Sequence, residues 1–286
     1  MSTSAATAGG APRHGVRIAV IWAVATAISV PVMIWVIGPH IPPGAMSDDT
    51  RDQHTVDVVL ATLAMPVLML IWVYFAYSIR YFRQPEGDVI VDGPPDRAQP
   101  RIQILWLVVT LLMVIGLATY GTIDLLNDAG LGGGEGPHPL AVPADAKNAL
   151  QVQVIGQQWF WTFRYPSYGG VETPKLELPV NREVEFHVTS VDVIHDFWAI
   201  ELGVKADAVP GADNTAFVKP LENGTFQVRC AELCGLWHGH MNTTGRVVSD
   251  SQFATWIAAQ QTKYSTITKD LPPYSLVYYP QPVRNG

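Results

Sequence analysis

The sequence predicts a membrane-anchored all-β protein, in which two to three transmembrane helices precede a β-sandwich or small β-barrel. Charged residues make up only 15% of the chain, against about 25% in a typical soluble domain. The first half contains three long apolar runs, and apolar and polar residues alternate in the second half. The same composition excludes a disordered protein, a coiled coil and a highly charged nucleic-acid-binding protein.

The predicted transmembrane helices are residues 18–38, 58–79 and 102–124. Each is long enough to cross a bilayer, which takes about 20 helical residues. Pro31 and Pro66 would break a helix in water but are tolerated in lipid. The first run is either a retained span or a signal peptide. It exceeds the roughly 7–15 apolar residues of a signal peptide and no A-x-A cleavage site follows, which favours a retained span.

Basic residues predict the orientation of these helices. Arg13 and Arg17 precede the first run, four arginines lie between the second and third runs, and the segment between the first and second holds only Arg51. Positive charge favours the cytoplasmic side, so the amino terminus (residues 1–17) and the loop at residues 80–101 are expected there. The part after the third run then lies on the extracytoplasmic side of the cell membrane.

A glycine- and proline-rich linker at residues 127–148 is predicted to precede a domain at 149–262, and a tail at 263–286 follows it. Period-two alternation and turn signals predict short strands in this domain, as in a β-sandwich or small barrel. The clearest strands are residues 150–154, 184–188, 225–228 and 244–248. A helix over residues 250–261 is expected to close the domain, with Phe253, Trp256 and Ile257 on one face.

The stretch from Cys230 to Met241 contains both cysteines of the chain, together with His238. Soft sulfur with imidazole is typical of copper electron-transfer sites. Three interpretations remain open from these residues. They are a small-loop disulfide, a mononuclear copper site that uses one cysteine, and a dinuclear copper site in which both thiolates bridge the metals. The last needs one more histidine from another loop.

Four other histidines of the predicted domain and its linker are candidates for that ligand. His138 lies in the linker, and His240 lies between two proposed ligands, where it is expected to be a bystander. His187 alternates onto the polar face of its strand and is expected to be solvated. His195 follows a strand and is flanked by apolar bulk, so it is the favoured ligand.

The stretch resembles subunit II of haem-copper oxidases, whose dicopper centre, CuA, uses the motif C-x-E-x-C-x-x-x-H-x-x-M. All motif positions match, from Cys230 to Met241. The segment at residues 193–211 is similar to the family's upstream histidine and its following turn, and Gln158-Trp-Phe-Trp161 resembles the family signature Q-W-[YF]-W. The resemblance implies a cupredoxin-like fold for residues 149–262.

The resemblance also implies a role for each matching residue. Two copper ions would be bridged by the cysteines, each would bind one histidine, and Glu232 would add a backbone carbonyl while its side chain faces a magnesium or manganese site shared with the catalytic subunit. Trp159 would be the surface aromatic at which electrons arrive, whereas Trp161 is expected to be a buried core residue. The implied metal ligands are His195, Cys230, Glu232, Cys234, His238 and Met241.

The implied function is that of the CuA subunit of an aerobic terminal oxidase, which accepts electrons from cytochrome c or a similar external donor and passes them to the haem of subunit I, where oxygen is reduced to water. The expected partners are subunit I, other oxidase subunits, the donor and the lipid bilayer. Two alternatives remain at this point, namely the CuA subunit of a nitric oxide reductase and a membrane-anchored copper carrier.

The sequence departs from the family pattern in three places. Gln103 stands where many relatives have a glutamate that resembles a proton-entry group, and a glutamine cannot titrate. Ala212 replaces a frequent arginine, and few acids follow Trp161 where relatives often present carboxylates for docking cytochrome c. These departures leave the identity of the donor open.

Apolar residues around the motif are expected to lower the local dielectric constant and restrict water at the site. These residues are Phe197, Trp198, Leu236 and Trp237.

Overall fold

The computed structural model describes residues 13–42, 44, 46–83, 99–127 and 142–264. The first twelve residues, most of the linker predicted at 127–148 and nearly all of the predicted tail lie outside the described residues. The chain divides into two compact units, which are Met1–Ile41 with Thr55–Ala98, and Pro42–His54 with Gln99–Gly286.

Three of the described helices are long and apolar enough to cross a membrane. Helix α1 is His14–Val32 and continues through a π turn (Met33–Ile37) and a 3-10 turn (Gly38–His40), α2 is Asp48–Tyr81, and α3 is Pro100–Asn127. Most of their large apolar side chains are exposed, as expected for helices whose solvent is lipid.

Polar contacts join the two helices of the first unit. The indole Nε1 of Trp22 donates to the backbone carbonyl of Pro66 at 2.7 Å. His14 Nδ1 lies 2.8 Å from the hydroxyl of Tyr77. Each of these helices contains a proline in its interior, Pro31 in α1 and Pro66 in α2, as predicted. The carbonyl of Pro66 is hydrogen-bonded by a side chain of the neighbouring helix.

The second unit contains a β-sandwich of two five-stranded sheets, with strand orders β3-β2-β1-β5-β8 and β4-β10-β9-β6-β7. The predicted fold class is therefore confirmed, with membrane-type helices followed by a β-sandwich. The strands are β1 Leu150–Gln157, β2 Phe160–Tyr165, β3 Val171–Thr173, β4 Leu176–Pro179, β5 Val184–Ser190, β6 His195–Ala199, β7 Val204–Ala208, β8 Asn214–Val218, β9 Gly224–Cys230 and β10 Asn242–Val248.

The strand core forms because alternate residues point between the two sheets. Leu150, Val152 and Val154 of β1 are fully buried, as are Phe186 and Val188 of β5. Burial of such side chains contributes about 1.5–3 kcal/mol each before entropy is subtracted. The period-two pattern in the sequence thus identifies the inward face of each sheet.

Helix α4, Asp250–Lys263, closes the sandwich as predicted. It begins at a capping box in which the Ser249 side chain accepts from the backbone of Gln252 and the Gln252 side chain accepts from the backbone of Ser249. Phe253 and Ile257 are buried against the core. The structure extends this helix slightly beyond the predicted end.

A short segment before the body of α2 packs on the sandwich. Ser47 and Thr50 are fully buried, and the Ser47 hydroxyl donates to the carbonyl of Leu202 at 2.9 Å. The Gln53 side-chain amide donates to the carbonyl of Gly203 at 3.1 Å. The first turns of α2 therefore belong with the sandwich, which is why this helix begins before the predicted apolar run.

Candidate metal centre

Five donor side chains converge at one end of the sandwich. His195 is the first residue of β6, Cys230 is the last residue of β9, and Cys234, His238 and Met241 lie in the loop from β9 to β10. Because β6 and β9 are hydrogen-bonded neighbours, the upstream histidine is brought beside the first cysteine. We call these five residues the sulfur site.

The two sulfurs of this site lie 3.7 Å apart, well beyond the roughly 2.05 Å of a disulfide bond. Each sulfur has its own imidazole, with Cys230 Sγ 3.8 Å from His195 Nδ1 and Cys234 Sγ 3.6 Å from His238 Nδ1. Met241 Sδ lies 3.8 Å from Cys234 Sγ. The arrangement is two sulfur–imidazole pairs side by side.

The sulfur site is mostly buried. His195 is 0% exposed, Met241 1%, Cys234 3% and Cys230 9%, while His238 is half-buried. The donor atoms of His195, Cys230 and Cys234 all lie within 4.8 Å of one another, which is close enough to share a metal ion. Thiolate, thioether and imidazole donors favour copper or zinc over magnesium or calcium.

The two thiols are in contact, so the ionisation of one opposes the ionisation of the other. Burial, and then the neighbouring Cys230 sulfur, raise the pKa of the Cys234 thiol to about 12. Burial acts in the same direction on Cys230, but its hydrogen bonds with His195 and with the backbone of Asp196 outweigh it and lower the pKa of that thiol to about 6. Like charges in contact repel, so only one sulfur is a thiolate near neutral pH unless a cation compensates the second.

Glu232 contributes its backbone rather than its side chain to the site. Its carbonyl oxygen lies 3.2 Å from Cys230 Sγ, and its side chain is exposed. The carbonyl of this residue is therefore on the sulfur side of the loop, whereas its carboxylate is accessible to solvent.

Trp159 and Gln158 hold the cysteine loop from outside. The indole Nε1 of Trp159 and the side-chain amide of Gln158 both donate to the carbonyl of Cys234, at 3.2 and 2.8 Å. Trp159 is partly exposed, whereas Trp161 is 2% exposed in the core. The partly exposed ring of Trp159 is therefore hydrogen-bonded directly to the backbone of Cys234, a candidate metal ligand.

Asp192, which the sequence analysis did not single out, contacts the ring of His195. Its Oδ1 lies 2.9 Å from His195 Nε2, and its Oδ2 accepts the backbone N–H of Gln158 at 2.7 Å. Burial would raise the pKa of this carboxyl, but these hydrogen bonds outweigh burial and lower it. The only signal in the sequence is an acid three residues before the candidate ligand.

The predicted apolar shell is wrong for three of its four residues. Phe197 is fully buried, but Trp198 is 36%, Trp237 50% and Leu236 85% exposed. The interior positions of the loop are occupied by Cys234 and Met241, so the residues between them face outward. With Leu233, the side chains of Leu236 and Trp237 form an exposed apolar surface beside the site instead of a seal over it.

A groove of about 570 Å³ lies along the paired strands β9 and β10. Its lining includes Cys230, His238 and Met241 of the sulfur site, together with polar residues such as Gln227 and Arg229. Solvent therefore reaches the sulfur site from this groove in the isolated chain.

The other described histidines of the sandwich, His187 and His240, lie in different surroundings. His240 is exposed and its ring packs edge-on against Trp237, so it stays outside the sulfur site. The prediction of a solvated His187 is wrong, because its side chain is only 12% exposed and lies 2.9 Å from Asp213 and 3.6 Å from Glu185. His138 lies outside the described residues.

Gln103 lies in the first turns of α3 with an exposed side chain. Ala212 follows the turn between β7 and β8. Neither residue contacts the sulfur site.

Comparison with known proteins identifies related chains. The family described as "Cytochrome C oxidase subunit II, periplasmic domain" matches residues 172–248. A cytochrome c oxidase subunit 2 from Synechocystis is 28% identical over 80% of this chain and 78% of its own length. An alternative cytochrome c oxidase subunit 2 from Bradyrhizobium diazoefficiens is 33% identical over 43% of this chain and 54% of its own length.

Among solved structures, the periplasmic domain of subunit II of cytochrome oxidase from Bradyrhizobium japonicum is 34% identical. The match covers 40% of this chain and 95% of that domain, with a TM-score of 0.39.

Proposed function

We propose that this chain is a member of the cytochrome c oxidase subunit II family, and that it is the copper-bearing subunit that takes electrons from an external donor and passes them to the haem of subunit I. The observation that carries this proposal is the convergence of two thiols, two imidazoles and a thioether at one buried end of the sandwich. The relatives are named as oxidases, so the nitric oxide reductase and copper carrier alternatives are not favoured.

The donor set fits two copper ions better than one. Each sulfur is in contact with the other sulfur and with one imidazole, so the site contains two sulfur–imidazole pairs. A single metal would leave one thiol and one imidazole without a role. Two copper ions would therefore be held by the thiolates of Cys230 and Cys234 and the imidazoles of His195 and His238, with the thioether of Met241 as a weaker ligand.

Glu232 completes the proposed set through its carbonyl oxygen, which already faces Cys230. The exposed carboxylate of the same residue is free to reach a magnesium or manganese ion shared with subunit I. When bound, a dinuclear copper centre supplies a one-electron acceptor whose unpaired electron is shared by both metals.

The protein's contribution is to hold the ligands still. Backbone hydrogen bonds fix the loop, since Cys230 N donates to the carbonyl of Met241 at 3.0 Å and Met241 N donates to the carbonyl of His238 at 3.1 Å. Gln158 and Trp159 fix the carbonyl of Cys234 from the other side. Ligands held in this way move little when an electron arrives, which keeps the barrier to electron transfer low.

Electrons are proposed to arrive at Trp159. Exposed apolar residues flank it: Phe160 follows it in the sequence, and Leu233 and Leu236 lie on either side of Cys234, whose carbonyl accepts the Trp159 indole N–H; the three are 49%, 78% and 85% exposed. An exposed apolar patch of this kind marks an interaction site. The donor proposed here is a c-type cytochrome that docks through apolar contacts, so its binding is expected to depend weakly on salt.

The copper domain is proposed to lie on the extracytoplasmic side. Residues 42–54, which connect α1 to the body of α2, pack on the sandwich through Ser47 and Gln53 and so share its side of the membrane. Arg13 and Arg17 lie at the opposite end of α1, where positive charge indicates the cytoplasm. Both observations support the proposed extracytoplasmic side.

The purified complex provides the test of this function. With a reduced c-type cytochrome as donor, the complex is expected to consume oxygen, and Cys230→Ser is expected to stop that consumption while the catalytic subunit still accepts electrons from a small artificial reductant. Consumption of nitric oxide without oxygen would contradict the oxidase assignment. Oxygen consumption that persists in Cys230→Ser would contradict the relay.

A further inference from the structure

The plane of the His195 ring is set by packing. A Cβ atom on Gly156 would lie 3.0 Å from His195 Cδ2 and 3.1 Å from Trp161 Cζ3, so the glycine leaves just enough room for the two rings to lie against β1. The Trp161 ring meets the imidazole edge-on at a centroid distance of 6.0 Å. The imidazole of His195 is therefore packed against the backbone of Gly156 and the indole of Trp161.

Packing alone does not decide which edge of the ring faces the sulfurs. An imidazole reversed about its Cβ–Cγ bond occupies nearly the same volume, but it places carbon rather than Nδ1 toward Cys230. The orientation must therefore come from a polar contact. The polar contact on the far edge of the ring is Asp192 Oδ1, at 2.9 Å from Nε2.

Two backbone N–H groups hold the carboxylate of Asp192. Oδ1 accepts the N–H of Val193 at 2.7 Å, and Oδ2 accepts the N–H of Gln158 at 2.7 Å. The Ser190 hydroxyl lies 3.3 Å from Oδ1, but its single proton is donated to the carbonyl of Val193 at 2.5 Å. The contact of this carboxylate with His195 keeps a proton on Nε2, so Nδ1, which faces Cys230, is the nitrogen available to bind copper.

We propose that Asp192 is the positioning residue for His195, and that it fixes both the rotation of the ring and the nitrogen that binds copper. The inference rests on the proposed function and extends it to a residue outside the ligand motif. Outer carboxylates of this kind also make a ligating imidazole more basic. Asp192 is therefore expected to tune the reduction potential of the centre as well as its affinity for copper.

The substitution Asp192→Asn tests this role with little change of shape. An asparagine side chain carries one acceptor oxygen and one NH₂ donor, whereas the N–H of Gln158 and the Nε2–H of His195 both need an acceptor. If the NH₂ group faces His195, that contact is lost. If it faces Gln158, His195 keeps only an uncharged amide oxygen, which is a weaker acceptor than a carboxylate. The control Asp250→Asn removes the same charge from an exposed position in the first turn of α4.

The measurements use the full-length chain in detergent, loaded with copper(II) and assayed for copper affinity and reduction potential. For Asp192→Asn we expect copper affinity to fall by about 10–100-fold, as for loss of an outer partner of a metal-bound histidine. We also expect a higher potential, because a less basic imidazole stabilises the oxidised centre less. Asp250→Asn should retain both values of the wild-type chain.

The outcomes separate this inference from the proposed function. A wild-type chain that binds fewer than two coppers overturns the proposed function and this inference with it. A wild-type chain that binds two, with affinity and potential unchanged in Asp192→Asn, overturns the role of Asp192 alone. A lower affinity with an unshifted potential indicates only a structural role and also overturns it. If Asp192→Asn does not fold, Asp192→Ala is judged by the same criteria.

Discussion

Two histidines of the sandwich contact an aspartate at the same distance but lie in different chemical environments. His195 and His187 each have a ring nitrogen 2.9 Å from a carboxylate oxygen, of Asp192 and Asp213 respectively. The other nitrogen of His195 faces a sulfur, whereas that of His187 lies 3.6 Å from Glu185. We call Glu185, His187 and Asp213 the acidic histidine cluster.

A histidine–carboxylate contact occurs at both places, so this contact alone does not distinguish the proposed metal ligand from a histidine in an ion pair. In the acidic histidine cluster the imidazole lies between two acids, which favours its doubly protonated, cationic form. In the sulfur site the carboxylate of Asp192 accepts a hydrogen bond from His195 Nε2. The other nitrogen, Nδ1, is then available for the proposed copper ion. The two histidines therefore differ in the group that faces the ring nitrogen not bound to aspartate. That group is the Glu185 carboxylate for His187 and the Cys230 sulfur for His195.

The largest effect is expected for Cys234→Ser. Replacement of this sulfur would remove one of the two thiolates proposed to hold both copper ions, so the proposed dinuclear centre should be lost completely while the sandwich still folds. Copper per chain and the thermal unfolding of the metal-free chain measure the two properties. A variant that fails to fold would instead make Cys234 a structural residue.

The second prediction exchanges the two histidines of the comparison. His195→Gln should lower copper affinity by more than the roughly 10–100-fold that loss of an outer partner costs. His187→Gln, its matched control in the same domain, should leave copper affinity unchanged. Copper titration of both variants checks the contrast, and equal losses in the two variants would remove the distinction between the sulfur site and the acidic histidine cluster.

The third prediction concerns the surface beside the sulfur site. Trp159→Ala should weaken donor binding by about 30-fold, which corresponds to the roughly 2 kcal/mol of an aromatic interface hot spot. The electron spin resonance spectrum of the copper should stay intact. Steady-state oxygen consumption as a function of donor concentration measures the change, and an unchanged dependence at low salt would contradict the assignment.

The smallest effect is expected from the protonation of His187. Burial would lower the pKa of this imidazole, but the hydrogen bond to Asp213 and the charges of Asp213 and Glu185 outweigh burial and raise it. A raised native pKa stabilises the fold fully below the unfolded value of about 6.5, and that stabilisation is lost as pH rises through the native value.

The check compares the unfolding temperature of the wild-type chain with that of His187→Gln across this range. The wild-type chain should be the more stable at about pH 6, and the difference should shrink toward about pH 9. A difference that grows with pH would have the opposite sign and would contradict the ion-pair assignment.

The fold was largely predictable from the sequence because its signals are local. Alternation such as that in Leu150, Val152 and Val154 shows which face of a strand is buried, and uncharged runs show where lipid is the solvent. The candidate site was also predictable, since five of the six proposed ligands lie within one short stretch, residues 230–241.

The rest depends on contacts between segments far apart in sequence. The burial of Ser47 against Leu202, and the contact of Asp192 with both His195 and Gln158, involve partners that no local pattern connects. The outward direction of Leu236 depended on which loop residues fill the interior. Spacing alone could not resolve that choice.

The most direct test of the account is the amount and electronic state of copper in the full-length chain after loading with copper and removal of the excess. Two coppers per chain, with an electron spin resonance spectrum in which one unpaired electron couples equally to both nuclei, are the predicted result. One copper per chain, or a disulfide between Cys230 and Cys234 in the copper-loaded protein, would contradict the central claim.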